Sequence, residues 1–184
     1  MPPSRRRRRS VADIDVRRAT AFDNELLARL GAETFPGNFV GGREPAAMND
    51  YIATRFTPDV MADLLKESGS TFFIAYAGTE PVGYARLRED EVPAEVTPRP
   101  VAEIHRLYVL QDHWGQGHGR ALIDVCIEEA AARGCSAVWL GAWSENPRAL
   151  DFYRSLGFEE VGSKIFQLGD EEHHDLILLR PLTA

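Results

Sequence analysis

The run from Glu103 to Ala130, EIHRLYVLQDHWGQGHGRALIDVCIEEA, limits what this chain can fold into more than any other segment. Its first part reads as a strand and its last part as a helix, with Gly115, Gly117 and Gly119 between them. Leu122, Val125 and Cys126, with Ile123, Ile127, Ala130 and Ala131, supply the apolar face of a packed helix. Bare backbone at the foot of a helix serves one of two ends. It makes a tight turn, or it lets the main chain approach an anion while the unpaired N–H groups of the first turn point at it. The spacing is neither the dinucleotide pattern GxGxxG nor the phosphate loop GxxxxGK(S/T), so spacing alone leaves turn and cradle open.

The flanking sequence supplies the partners this unit needs. Ile14 and Val16 alternate with charged residues as a first strand, and Thr20 caps a helix carrying Leu26, Leu27 and Leu30. Pro36, Gly41 and Gly42 break regularity before a second helical region, in which Thr57 is a good cap and Pro58 a good first helical residue. STFFIAYAG and EPVGYARLR pair as a hairpin, and EVPAEVTPRP is a loop. After the helix closed by Gly134 come a buried strand, SAVWLGAW, and a helix from cap Asn146 to Gly157. A final hairpin turns through GDEEH. Together these predict an α/β fold with a mixed, mostly antiparallel twisted sheet of about seven strands flanked by about four helices.

A length of 184 residues suits one domain. Residues 1–10 read as a basic, disordered tail and 11–184 as the domain. The chain holds 21 basic and 28 acidic side chains; without Arg5 to Arg9, 21 − 5 = 16 basic remain and the body stands at −12. Such a body disfavours nucleic acid as a partner of the folded part and favours a cationic small molecule. No apolar run approaches the ~20 residues of a membrane span. Cys126 and Cys135 have no metal spacing and fit two reduced thiols in a cytoplasmic protein. Glu171 to His174 alternate in direction if extended, so no metal site is expected there. The oligomeric state stays open, a homodimer included.

Two segments carry a family resemblance. WGQGHG, set between strand and helix, resembles the acyl-CoA motif Q/R-x-x-G-x-G/A of the Gcn5-related N-acetyltransferase (GNAT) superfamily. The helix NPRALDFYRSLGF resembles the companion motif, which starts at Asn and ends in F/Y-Y-x-x-x-G-F. ETF at Glu33 to Phe35, WLGAWSEN and GDEEHHDLIL echo the PaiA-type spermidine/spermine N-acetyltransferases within it. Trp114 departs from the pattern, which has Gln or Arg at that place.

The resemblance implies acetyl-CoA as co-substrate, a primary amine as acceptor with a polyamine favoured, and direct attack in a ternary complex. The edge of Leu107, Tyr108 and Val109 would bind the pantetheine amides, with the Val109 N–H steadying the oxyanion. The segment Trp114, Gly115, Gln116, Gly117, His118, Gly119 and Arg120 would cradle the pyrophosphate, and Asn146 would bond the cofactor arm. The thioester would lie where the strands around the first of the two helices splay apart. Tyr153, a phenol of reference pKa about 10, is the expected acid for the leaving thiolate. Glu103 and His105, on one face of the strand, are the candidate bases. Glu33 and Tyr51 are the candidate substrate contacts. The rival readings are acetylation of a protein N-terminus, an amino acid or an antibiotic amine, and a non-catalytic acyl-CoA-binding module.

Overall fold

Alternation of apolar and charged residues makes β1 (Ile14–Arg18), an edge strand. Thr20 then closes a capping box with Asp23 over a 3-10 turn that leads into α1 (Asn24–Thr34). A computed structural model describes residues 14–38, 45–89, 92–97 and 99–182; the basic tail falls outside them. The second helical region divides at Thr57, whose side chain caps α3 (Pro58–Lys66) after α2 (Pro45–Arg55). That division brings the helices to five among the described residues, one more than expected.

The remaining elements are β2 (Thr71–Ala77), β3 (Glu80–Arg88), β4 (Val101–Val109), α4 (His118–Ala132), β5 (Ala137–Trp143), α5 (Pro147–Ser155), β6 (Glu159–Leu168) and β7 (Glu171–Pro181). Glu171 to His174 belong to β7 rather than to the hairpin tip, because the turn is made by Gly169 and Asp170. The seven strands run in the order β1-β2-β3-β4-β5-β7-β6.

Both faces of the sheet are covered. On β2, Phe73 and Ala75 join the core under α4 and α5, while Phe72 and Ile74 join the core under α1 and α3. A strand buried on both sides reads as the continuous apolar run FFIA. Each of these larger side chains contributes about 2 kcal/mol by leaving water.

One pairing is incomplete. β4 and β5 are the parallel neighbours, and they pair only at Val101–Ala137, Ala102–Val138 and Glu103–Trp139. Beyond Glu103 they part, while β4 stays paired with β3 as far as Val109. The sheet therefore opens as a wedge at the end of β4, the place where the family resemblance puts a splay.

β4 also carries a bulge. Arg86 faces Arg106 and Leu87 faces Ile104, so His105 is the extra residue. The inserted residue resets the alternation: Ile104 and Leu107 both pack with the α4 side, whereas Arg106 lies over Phe56 and Tyr108 packs on the α1 side. No helix among the described residues is long and apolar enough to cross a membrane.

Candidate active site

Two hollows flank the wedge. A groove of about 390 Å³ runs between the end of β4, the glycine loop and α5. A smaller cavity of about 140 Å³ lies on the other side of β4, between α1, α2 and the β6–β7 pair. Leu107, Ala149 and Tyr153 are walls of both.

The foot of the groove is a glycine-built helix N-terminus. Gly117 is the N-cap of α4 at φ 96°, with no side-chain cap bond, so the first N–H groups of the helix lack partners. The left-handed φ favours glycine, and a Cβ at Gly117 would stand 3.1 Å from Ile14 Cδ1. Gly115, also at positive φ, and Gly119 line the groove beside it. Helix-end N–H groups together with the guanidinium groups of Arg120 and Arg148 on the groove wall fit a phosphate. Arg120 is exposed and stands 3.7 Å from Asp124.

Trp114 has a structural job of its own. Leu110 N–H bonds the Val82 carbonyl at 2.8 Å, so by strand alternation Val109 turns its own N–H and C=O toward the wedge. The Trp114 indole Nε1 donates to that Val109 carbonyl at 2.7 Å, and the N–H is left facing the open side. The Arg148 guanidinium lies 3.3 Å from the centre of the same indole. Where the motif calls for Gln or Arg, this chain has a tryptophan that carries an arginine from α5 on its face.

Four of the expected cofactor residues do not face the groove with their side chains. Gln116 folds back to donate to the Asp112 carbonyl at 2.7 Å. His118 is buried against His113 at 5.6 Å between ring centres, so it offers the groove its backbone N–H and not its ring. Tyr108 and Asn146 line the smaller cavity, where Asn146 Oδ1 also accepts from Ala149 N–H at 3.1 Å to cap α5.

In the smaller cavity Glu103 and His105 come together as expected, but within a shell of cations. Glu103 is buried, with its carboxylate held by Arg88 at 2.5 Å and Lys164 at 3.5 Å. His105 Nδ1 lies 3.4 Å from Arg86. Burial, reinforced by Arg88, Arg106, Arg86 and Lys164, pushes its imidazole down to about 2. An imidazole held neutral in this way accepts a proton poorly, which works against His105 as the base. Its pH signature follows from the sign of the shift. The folded chain keeps His105 neutral while an unfolded chain protonates near 6.5, so this stabilisation is complete above about 6.5 and is lost as pH falls from there toward 2. His105→Gln is expected to lessen the drop in melting temperature between pH 7 and pH 5; an unchanged drop would show that His105 titrates normally.

Tyr51 stacks on Phe35 at 4.6 Å, and both rings wall the cavity. Glu33 does not reach either hollow: it is exposed on α1 and paired with Arg29 at 3.1 Å. The helical turn sends Phe35 inward in its place. Tyr153 is half-buried on α5, packs edge-on against Phe158 at 5.9 Å, and has its hydroxyl pushed up to about 12 by burial. Cys126 and Cys135 line neither hollow, and burial pushes both thiols up. Arg106, Arg148 and Lys164 wall the two hollows and are missed by reading the sequence; each arrives through a register or a crossing that local patterns do not encode.

Known proteins resemble the chain in sequence and in fold. The acetyltransferase (GNAT) family model matches residues 33–158. An uncharacterized N-acetyltransferase in the pepI 3' region of Lactobacillus delbrueckii subsp. lactis is 28% identical over 158 residues, covering 86% of this chain and 91% of the relative. The ribosomal protein bS18-alanine N-acetyltransferase of Escherichia coli is 31% identical over 84 residues, 45% of this chain and 57% of that one. In fold, the chain is similar to the PaiA N-acetyltransferase of Thermoplasma acidophilum, solved in complex with coenzyme A. The TM-score is 0.72 at 18% identity, over 92% of this chain and 99% of that one. With the family model spanning more than half its length, the chain belongs to the GNAT acetyltransferase family of acyl-transferring enzymes.

Proposed function

We propose that this enzyme transfers the acetyl group of acetyl-CoA to a compact primary amine by direct attack in a ternary complex. One observation carries the reading: the anion-cradling groove and the smaller cavity share Leu107, Ala149 and Tyr153 as walls. Bound acetyl-CoA supplies an activated acyl thioester. The chain's own residues do the rest. The α4 N–H groups hold the pyrophosphate, Arg120 and Arg148 add positive charge, and the Val109 N–H faces the developing oxyanion. Tyr153, protonated throughout the working range, donates its proton to the departing sulfur. Glu103, the cavity carboxylate paired with Arg88 and Lys164, takes up the amine's proton through water. Buried, unreactive thiols favour direct transfer over a cysteinyl intermediate, and suit a reducing cytoplasm.

A second reading, polyamine acetylation, has the −12 body in its favour, since such a field steers cations toward the protein. The test is release of free CoA thiol from acetyl-CoA against spermidine, spermine, amino acids and short peptides. The proposal expects amine-dependent release together with a product heavier by one acetyl group. CoA binding without release on any amine would mark a binding module instead.

A further inference from the structure

We infer that the acceptor cavity contains an anion subsite built on Arg106, so that the amine it takes also carries a carboxylate. The inference rests on the acetyltransferase reading and adds the acceptor's chemical class to it. Arg106 is only 7% exposed, yet it helps to wall the cavity. A buried guanidinium requires an anionic partner or a full set of hydrogen bonds. The other two arginines of this neighbourhood have carboxylates: Arg86 pairs with Glu67, and Arg88 with Glu103. Arg106 has no carboxylate within 4.0 Å among the described residues. Its contacts are the Phe56 ring, 4.9 Å from the guanidinium carbon, and Met61 Sδ, 3.6 Å from Nη1. An aromatic face and a thioether offset part of the cost of burying the charge and leave donors unused. The buried Tyr84 hydroxyl sits beside the same guanidinium, a neutral neighbour that offers no countercharge.

The bulge at His105 explains why this cation faces the cavity. With strict alternation from Glu103, Arg106 would point toward α4; the extra residue turns it to the acceptor side. The cavity's own carboxylates do not favour a multiply charged cation. Glu103 is already shared by Arg88 and Lys164, and Arg106 and Lys164 balance Glu103 and Asp175 along the wall. A cavity of about 140 Å³ is on the scale of a small amino acid.

The test compares matched acceptors that differ in the carboxylate: alanine against alaninamide, and γ-aminobutyrate against butylamine, with spermidine alongside. Thiol release at saturating acetyl-CoA gives kcat/KM for wild type, Arg106→Met and Arg106→Lys, and CoA titration follows the cofactor side. Wild type is expected to prefer the carboxylate-bearing member of at least one pair by tenfold or more. Which pair shows it distinguishes an α-carboxylate from a distal one. Arg106→Met is expected to bring that ratio to within twofold of unity, and Arg106→Lys to restore part of it. Equal or inverted preference in wild type, spermidine outrunning every carboxylate-bearing amine, or an Arg106→Met loss equal for both members of a pair would overturn the subsite. No release from any amine while CoA still binds would overturn the transferase reading beneath it, a pattern distinct from all three.

Discussion

Gly117→Asp is expected to weaken CoA binding by at least about a hundredfold, equivalent to about 2.7 kcal/mol. The substitution sits at the N-cap of α4, where aspartate is a favourable cap and complements the helix dipole. The helix therefore keeps its start while the cradle is filled: the new carboxylate occupies the N–H groups that would meet the pyrophosphate and repels its charge. Some strain comes with it, from the left-handed φ of 96° and the 3.1 Å approach of the new Cβ to Ile14 Cδ1. Gly117→Asn separates the two effects, since asparagine tolerates the left-handed region and brings similar bulk without charge. It is expected to retain affinity within about tenfold of wild type. Normal CoA affinity in Gly117→Asp, measured by titration calorimetry, would remove the glycine loop from the cofactor site.

Tyr153→Phe is expected to lower kcat about a hundredfold, the scale of a lost general acid, with CoA affinity within about twofold of wild type. The geometry supports the split. The ring packs against Phe158 and walls both hollows, so phenylalanine keeps the packing and removes only the hydroxyl. With that hydroxyl pushed up to about 12, the proton stays in place through pH 10, and Tyr153 should contribute no alkaline limb below that point. Equal turnover in the phenylalanine variant would make Tyr153 a packing residue only.

What the sequence discloses and what it hides divide along the range of the interactions. Thr20, Thr57 and Asn146 act on residues two or three positions away, so their helix starts are legible from local pattern alone. The same holds for Gly134 and Gly157, whose positive φ comes two residues after the last helical residue. The splay of β4 from β5 is what the family resemblance implies. The chemistry of β4 is hidden, because a single inserted residue at His105 changes which side chains share a face. His105 has a suitable intrinsic pKa in the sequence, but its neighbours Arg86 and Arg88 come from β3 and Lys164 from β6. Glu33 is two residues from the cavity wall at Phe35, yet the α1 turn faces it toward Arg29 and solvent. Trp114 looks like a defect in the motif until Arg148, brought over by the α5 crossing, is seen on its indole.

The groove and the cavity meet at Tyr153, an arrangement suited to direct attack of an amine on the thioester. Initial rates of CoA thiol release, with acetyl-CoA and the acceptor amine varied together, test it most directly. The account predicts intersecting double-reciprocal lines and one thiol released per acetylated amine. Parallel lines, or thiol release that does not depend on the amine, would contradict it.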